Sequence, residues 1–352
     1  MATASSAMRS CLGRSSALTS NEPADIAVTT DAAKTPRRWL PNALIAAGVL
    51  LLLAAAIMVG VSLAEDPFAD LPDDPAVTVN LAGTLPAEGA APLEKPVGIA
   101  ISGNRVFVAD SGAGVIRIFD RYGADKGSIV LPAGEGAESR PSAIALADNG
   151  RIAVVDSGLG QVVVVAAKPA EEADVLFALG DATEGTAPVR PVAVAYADGE
   201  YYVVGSAEAK VRIYDSSGEP VREVDVEADP AIEYPGGLLV VDGMIYLSDT
   251  KSGRVATCDA ETGEAAGAWP DTYTVPRGLA QAGNGFAVAD VLGQAAYVCD
   301  ADGVQTHVVS SETVVDAALA LPEGVSWDAA KWRLYVTDSA AGMVSVFNVR
   351  ME

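Results

Sequence analysis

Five aspartates, Asp110, Asp156, Asp249, Asp290 and Asp338, end five similar apolar segments and open turns such as DSGAG, DSGLG and DTKSG. Carboxylates recurring at one station invite a metal centre. An aspartate heading a tight turn also accepts N–H bonds from its own backbone, and recurrence with the repeat favours that role. Arg277 and Glu323 each stand one residue after a proline that opens such a segment. They can pair at a rim or hold a polar ligand. Tyr234, Trp269 and Tyr273 fall in loops, where aromatic side chains suit recognition. Tyr201, Tyr202, Tyr214, Tyr246, Tyr297, Trp327, Trp332 and Tyr335 fall mostly within predicted strands and suit packing.

Other chemistries are poorly supplied. The chain has one histidine, His307, without a GxSxG context for a nucleophilic serine. DSGAG and DSGLG lack the lysine and following helix of a phosphate loop. Cysteines are Cys11, Cys258 and Cys299, with no CxxC spacing for zinc or haem. Cys258 and Cys299 hold the stations that Phe119, Tyr214 and Phe347 hold elsewhere, so they read as buried apolar residues rather than a disulfide.

The stations belong to a repeat. Pro96, Pro141, Pro191, Pro235, Pro276 and Pro322 open six phrases at intervals of 45, 50, 44, 41 and 46 residues. Each phrase is a short apolar strand, a turn, a second strand usually ending in Asp, and a third strand. A fixed period of this length signals stacked supersecondary units. Several strands, such as residues 152–155, 162–165 and 238–241, are apolar at consecutive positions, so both faces must be covered. A ring of face-packed antiparallel sheets meets that need, and the expectation is an all-β, six-bladed β-propeller of four-stranded blades. Fourth strands are expected at residues 128–131, 175–179, 219–226, 264–268 and 304–309. The sixth phrase ends without one, so the orphan strand at residues 76–81 is predicted to complete the last blade.

The phrases KPVGIA…VFVADSG…VIRIFD resemble the NHL-repeat family over residues 76–352, with a departure at Gly205 where Asp is expected. The resemblance implies the propeller and says little of function. LPEGVSWDAAKWRLYVTD resembles the opening motif of gluconolactonase-like calcium propellers, and by that resemblance Glu323 would be a metal ligand. The companion Asn and Asp are replaced here by Val, Ser and Gly, a poor set for an ion wanting six to eight oxygens. The peptide-amidating lyases that share the NHL propeller use histidine-bound zinc, which a single histidine does not support.

Residues 1–38 hold five basic and three acidic residues, whereas the remainder holds 18 and 44. An acidic surface of that size disfavours nucleic acid and keeps an apolar chain soluble. Residues 40–64 carry no charge; as a helix they extend about 37 Å, enough for a bilayer. Basic residues precede and acidic residues follow, placing the C-terminal part outside the membrane. Small residues before Glu65 also admit cleavage after Ala64, and PRRWL weakly resembles a twin-arginine signal.

The expected organisation is a disordered cytoplasmic tail (1–38), a transmembrane helix (39–64), an acidic Pro-rich linker (65–75) and the propeller (76–352). The expected function is a membrane-anchored, extracytoplasmic binding or scaffolding module for a protein or cell-envelope component. Its ligand-binding residues would be Arg277, Glu323, Trp269, Tyr234 and Tyr273, with no cofactor and no metal site. The alternative is a divalent-metal, calcium-dependent hydrolase of the lactonase type.

Overall fold

The computed structural model describes residues 66–351 apart from 135 and 181–184. Among these residues, 24 strands form six four-stranded antiparallel sheets. The innermost strands are Pro96–Ser102, Pro141–Ala147, Pro191–Ala197, Pro235–Val241, Pro276–Ala282 and Pro322–Asp328. Each begins at one of the six repeat prolines. Proline has no N–H for the ladder, so the first residue of a strand is where it fits.

Directly after each proline the register slips by a bulge: Pro96/Ile99, Pro141/Ala143, Pro191/Ala193, Pro235/Gly237, Pro276/Leu279 and Pro322/Gly324. A bulged residue leaves the pairing, and its side chain is re-aimed. Six bulges therefore place the six residues after proline around one end of the ring.

The core lies between blades. Each junction between neighbours has its own cluster of buried side chains, closing with Leu85, Tyr335 and Val346 against Ile99, Val106 and Val108. Runs such as Val162–Val165 are buried throughout, because one face meets the preceding blade and the other the following blade.

The outer strands of the first five blades, Asp125–Val130, Val175–Ala178, Pro220–Asp225, Ala265–Ala268 and Gln305–Ser310, lie close to their predicted places. The sixth blade takes its outer strand from upstream, as expected, but at Val79–Leu85 rather than 76–81. It pairs with Met343–Val349, from Val79 opposite Val349 to Leu85 opposite Val344, across a bulge between Leu81 and Gly83. The bulge carries the strand through Ala82 and Gly83 and buries Leu85.

Residues 66–74 are not a free spacer. The Asp66 carboxylate accepts a 2.8 Å bond from Arg333 and lies 3.3 Å from the Lys331 ammonium. Phe68 stacks edge-on against Tyr122, and the Arg333 guanidinium sits over its ring. Gly83 makes room for that ring, since a Cβ there would stand 2.6 Å from it. Asn348 donates to the Ala69 carbonyl and Arg350 to those of Pro72 and Asp74. This segment is fastened to the last blade through Arg333, Asn348 and Arg350.

The tail over 1–38, the apolar segment over 39–64 and the site after Ala64 lie outside the described residues. Among the described residues no helix is long and apolar enough to cross a membrane.

Burial alone would raise the Asp66 carboxyl pKa, but Arg333, the Phe68 N–H and Lys331 outweigh it and hold it below the usual range. A folded-state pKa below the unfolded one means this stabilisation is complete above about pH 4 and is lost as pH falls through the folded value. Asp66→Asn leaves the buried Arg333 uncompensated and should cost about 2–4 kcal/mol at neutral pH in urea unfolding. That deficit should narrow as the wild type is acidified; a deficit constant down to pH 3 would exclude the ion pair as its source.

Candidate functional site

The five repeated aspartates are structural, and they reach further than their own turns. Asp156 accepts N–H bonds from Gly158 and Leu159 in its turn and from Arg140, the residue before the blade's proline. Asp110 binds Glu94 and Lys95; Asp249 binds Glu233 and Tyr234; Asp290 binds Thr274 and Val275; Asp338 binds Ala320 and Leu321. The N–H after each aspartate also donates to the carbonyl of the residue before proline, as Ser111 does to Lys95 and Ser157 to Arg140. Each carboxylate thus bolts the incoming loop to the turn between the second and third strands. Burial opposes ionisation of Asp249, but the N–H groups of Glu233, Tyr234 and Ser252 prevail and hold its pKa low.

The third blade lacks this bolt. Gly205 stands at the aspartate's place, and a Cβ there would lie 2.0 Å from the Val189 carbonyl. Ser206 still donates to Arg190, whose φ of 47° marks the different approach of that loop.

These loops and the bulged residues frame a cavity of about 370 Å³ at one end of the ring. Val97, Ser142, Val192, Gly236, Arg277 and Glu323 all line it, with Lys95, Ser111, Ser157 and Tyr234 around them. Bare backbone crowds its floor: a Cβ on Gly237 would meet the Arg277 carbonyl at 1.9 Å, and one on Gly324 would meet that of Val97 at 2.4 Å. Hydroxyls on second strands reach the inner strand of the next blade, Ser248 donating to the Arg277 carbonyl and Thr337 to that of Val97.

Two side chains predicted for the site meet here. Arg277 Nη1 lies 2.6 Å from Glu323 Oε2, while Ser339 Oγ donates to Glu323 Oε1 at 3.2 Å. The glutamate side chain is 10% exposed and the arginine 40%. Both glutamate oxygens are engaged, and the guanidinium keeps donors facing the cavity. Tyr234, 42% exposed, stands on the same wall.

Trp269 and Tyr273 are elsewhere, at 7% and 8% exposure, in the core between the fourth and fifth blades. Trp269 packs against Phe286 at 5.0 Å between ring centroids and fits beneath Gly303, where a Cβ would strike the indole. The Tyr273 hydroxyl faces the Cys299 sulfur at 3.5 Å. Short outer strands leave the fourth-to-fifth junction to be covered by the following loop, so its aromatics turn inward. Cys258 and Cys299 are both buried free thiols, and burial pushes each up to about 11. His307 lies on an outer strand beside Thr306, away from the cavity.

The calcium set implied by the gluconolactonase-like resemblance does not fit these residues. Glu323 spends its oxygens on Arg277 and Ser339, and the guanidinium occupies the ground a cation would need.

The chain resembles a streptogramin B lyase structure at 12% identity over 77% of this chain and 98% of that one, with a TM-score of 0.55. A structural-genomics protein of unknown function from Bacteroides thetaiotaomicron VPI-5482 matches at 15%, over 74% and 71%, with 0.58. A chain of a nidogen/laminin complex matches at 16%, over 66% and 85%, with 0.53. The likeness is one of fold. No protein-family model and no curated protein matches the sequence.

Sequence reasoning missed the column just before each proline, from which Lys95 and Tyr234 line the cavity and Arg140 and Arg190 stand just before its lining stretches. The signal was in the sequence, since the repeats aligned on proline put Lys95, Arg140 and Arg190 in one column.

The close approach at Gly205 gives a test of the bolt. Gly205→Asp restores the repeat pattern yet should destabilise by roughly 1–3 kcal/mol, because its Cβ has no room. An unchanged or higher urea midpoint would show that the loop carrying Val189 adapts.

Proposed function

We propose that this protein is a non-enzymatic binding module, an NHL-like six-bladed propeller that presents its channel mouth to a ligand or partner from the cell envelope. One observation carries the reading: the Arg277–Glu323 pair, braced by Ser339, sets a half-exposed guanidinium on a rigid floor with Tyr234 beside it. Preorganised donors on packed strands recognise a ligand at low ordering cost. The uncharged stretch over residues 39–64, with basic residues before it and acidic ones after it, supports a membrane-anchored, extracytoplasmic setting.

The metal-dependent hydrolase is disfavoured because its one candidate ligand, Glu323, is already paired with a cation. Two measurements on the full-length protein separate the readings. Calcium should leave the melting temperature where a chelator leaves it, in wild type and Glu323→Gln alike. A rise of several degrees that vanishes in Glu323→Gln would return the metal reading, since an ion bound only by the folded state stabilises it. Chemical crosslinking from intact envelopes should yield adducts that Arg277→Ala and Tyr234→Ala deplete at least several-fold. Adducts indifferent to both substitutions would overturn recognition through the mouth.

A further inference from the structure

The inner rim of the mouth departs from the charge of the molecule around it. Three stations in each blade stand at this end of the ring: before proline, after proline, and after the turn aspartate or its replacement. Of their cations Lys95 and Arg277 line the cavity, while Arg140 and Arg190 come just before the lining residues Ser142 and Pro191. Those stations hold four cations, Lys95, Arg140, Arg190 and Arg277, and one carboxylate, Glu323. The whole chain has 47 acidic against 23 basic residues. The stations also supply Ser111, Ser142, Ser157, Ser206, Thr250 and Ser339. The single carboxylate is neutralised within the set by Arg277.

The three cations before proline differ from most other basic residues described. Arg117, Arg121, Arg212, Arg222, Arg333 and Lys210 each bind a carboxylate. Lys95, Arg140 and Arg190 are exposed, and among the described residues none of their side chains has a hydrogen bond or ion pair. Their backbones are nonetheless fixed. Each carbonyl accepts the N–H of the residue after the turn aspartate or its replacement, and Lys95 and Arg140 also donate to Asp110 and Asp156. Glu94 and Glu138 stand in the same loops one and two residues further back, and Glu233 is tied to Lys251. Glu135, Asp181 and Glu184 also belong to these loops, outside the described residues. Cations held on a hydrogen-bonded backbone with no ion pair among the described residues, beside hydroxyl donors, form a receptor for negative charge.

We infer that the mouth takes a small oligoanion, a ligand of two or more carboxylate or phosphate groups. Its anionic groups would lie on the Lys95–Arg140–Arg190 arc and on Arg277. The inference rests on the mouth being the binding surface, and it sets the ligand's class. A cavity of about 370 Å³ suits a molecule of metabolite size rather than a folded partner. The acidic exterior would repel such ligands elsewhere and leave the rim as the place of capture.

Calorimetric titration of the full-length protein with citrate, with pyrophosphate and with neutral glucose at matched ionic strength tests this. We expect citrate or pyrophosphate to bind at one site and glucose not to bind. Lys95→Gln/Arg140→Gln/Arg190→Gln should weaken that binding by about tenfold for each cation that contacts the ligand, and added salt should weaken it further. Lys168→Gln, on an exposed pair with Asp174, serves as the surface control and should bind as wild type does. The three side chains make no hydrogen bond or ion pair among the described residues, so the triple variant should melt with the wild type. Binding equal in the triple variant and the wild type would assign it to an adventitious site and overturn the inference. So would silence with both anions. If glucose binds and Arg277→Ala or Tyr234→Ala abolishes it, the mouth remains a binding surface while the anionic class fails. If the crosslinks described above are also indifferent to both substitutions, the mouth reading fails as well.

Discussion

Each blade has two apolar faces, and neither can meet water without loss. With roughly 25 cal/mol for every Å² of apolar surface removed from water, a sheet buried on one side only would leave a large deficit. A closed ring covers every face with a copy of its neighbour, which is why buried clusters recur at each junction. Short strands, tight turns and the use of Val, Ile and Ala follow from that single requirement. So does the upstream strand: without Val79–Leu85 the sixth blade would present the Val344 and Val346 ladder unpaired.

The same packing prepares the mouth. Inner strands meet so closely that glycine is needed where one backbone passes another, as at Gly237 and Gly324. Hydroxyls of second strands bond to the carbonyls they face across the junction. Bulges then free one side chain per blade at the end of the channel, and the buried aspartates hold the loops that supply another. The residues that line the cavity are thus held by packed strands and bolted loops. Placing Arg277 against Glu323 requires two blades to be correctly docked, so folding and site assembly are one event.

Much of this was legible in the sequence because the repeat is regular. All six prolines open inner strands, and the outer strands lie within a few residues of their predicted places. The Arg277–Glu323 pairing was also foreseeable, since both occupy one column of adjacent repeats. The failures have a common cause. Trp269 and Tyr273 were assigned by their position in loops, and loop membership does not reveal which way a ring points; here both cover a core edge left open by the short strand Ala265–Ala268. The strand expected at 76–81 stops short of Leu85, because only the pairing with Met343–Val349 reveals the bulge that carries the ladder past Leu81. Residues 66–74 read as spacer because acid and proline dominate them. Phe68 was the exception that mattered, and its partner Arg333 lies far off in sequence.

Strand directions in the last blade fix one more thing. The inner strand starts at the cavity, the next returns to it, the third leaves again, and the borrowed outer strand runs back toward it. Val79, Asp66 and Lys331 therefore gather at the opposite pole of the axis. The described chain thus enters the propeller at Asp66 on the side away from the cavity, so one pole carries the first residues of the ring and the other its open mouth.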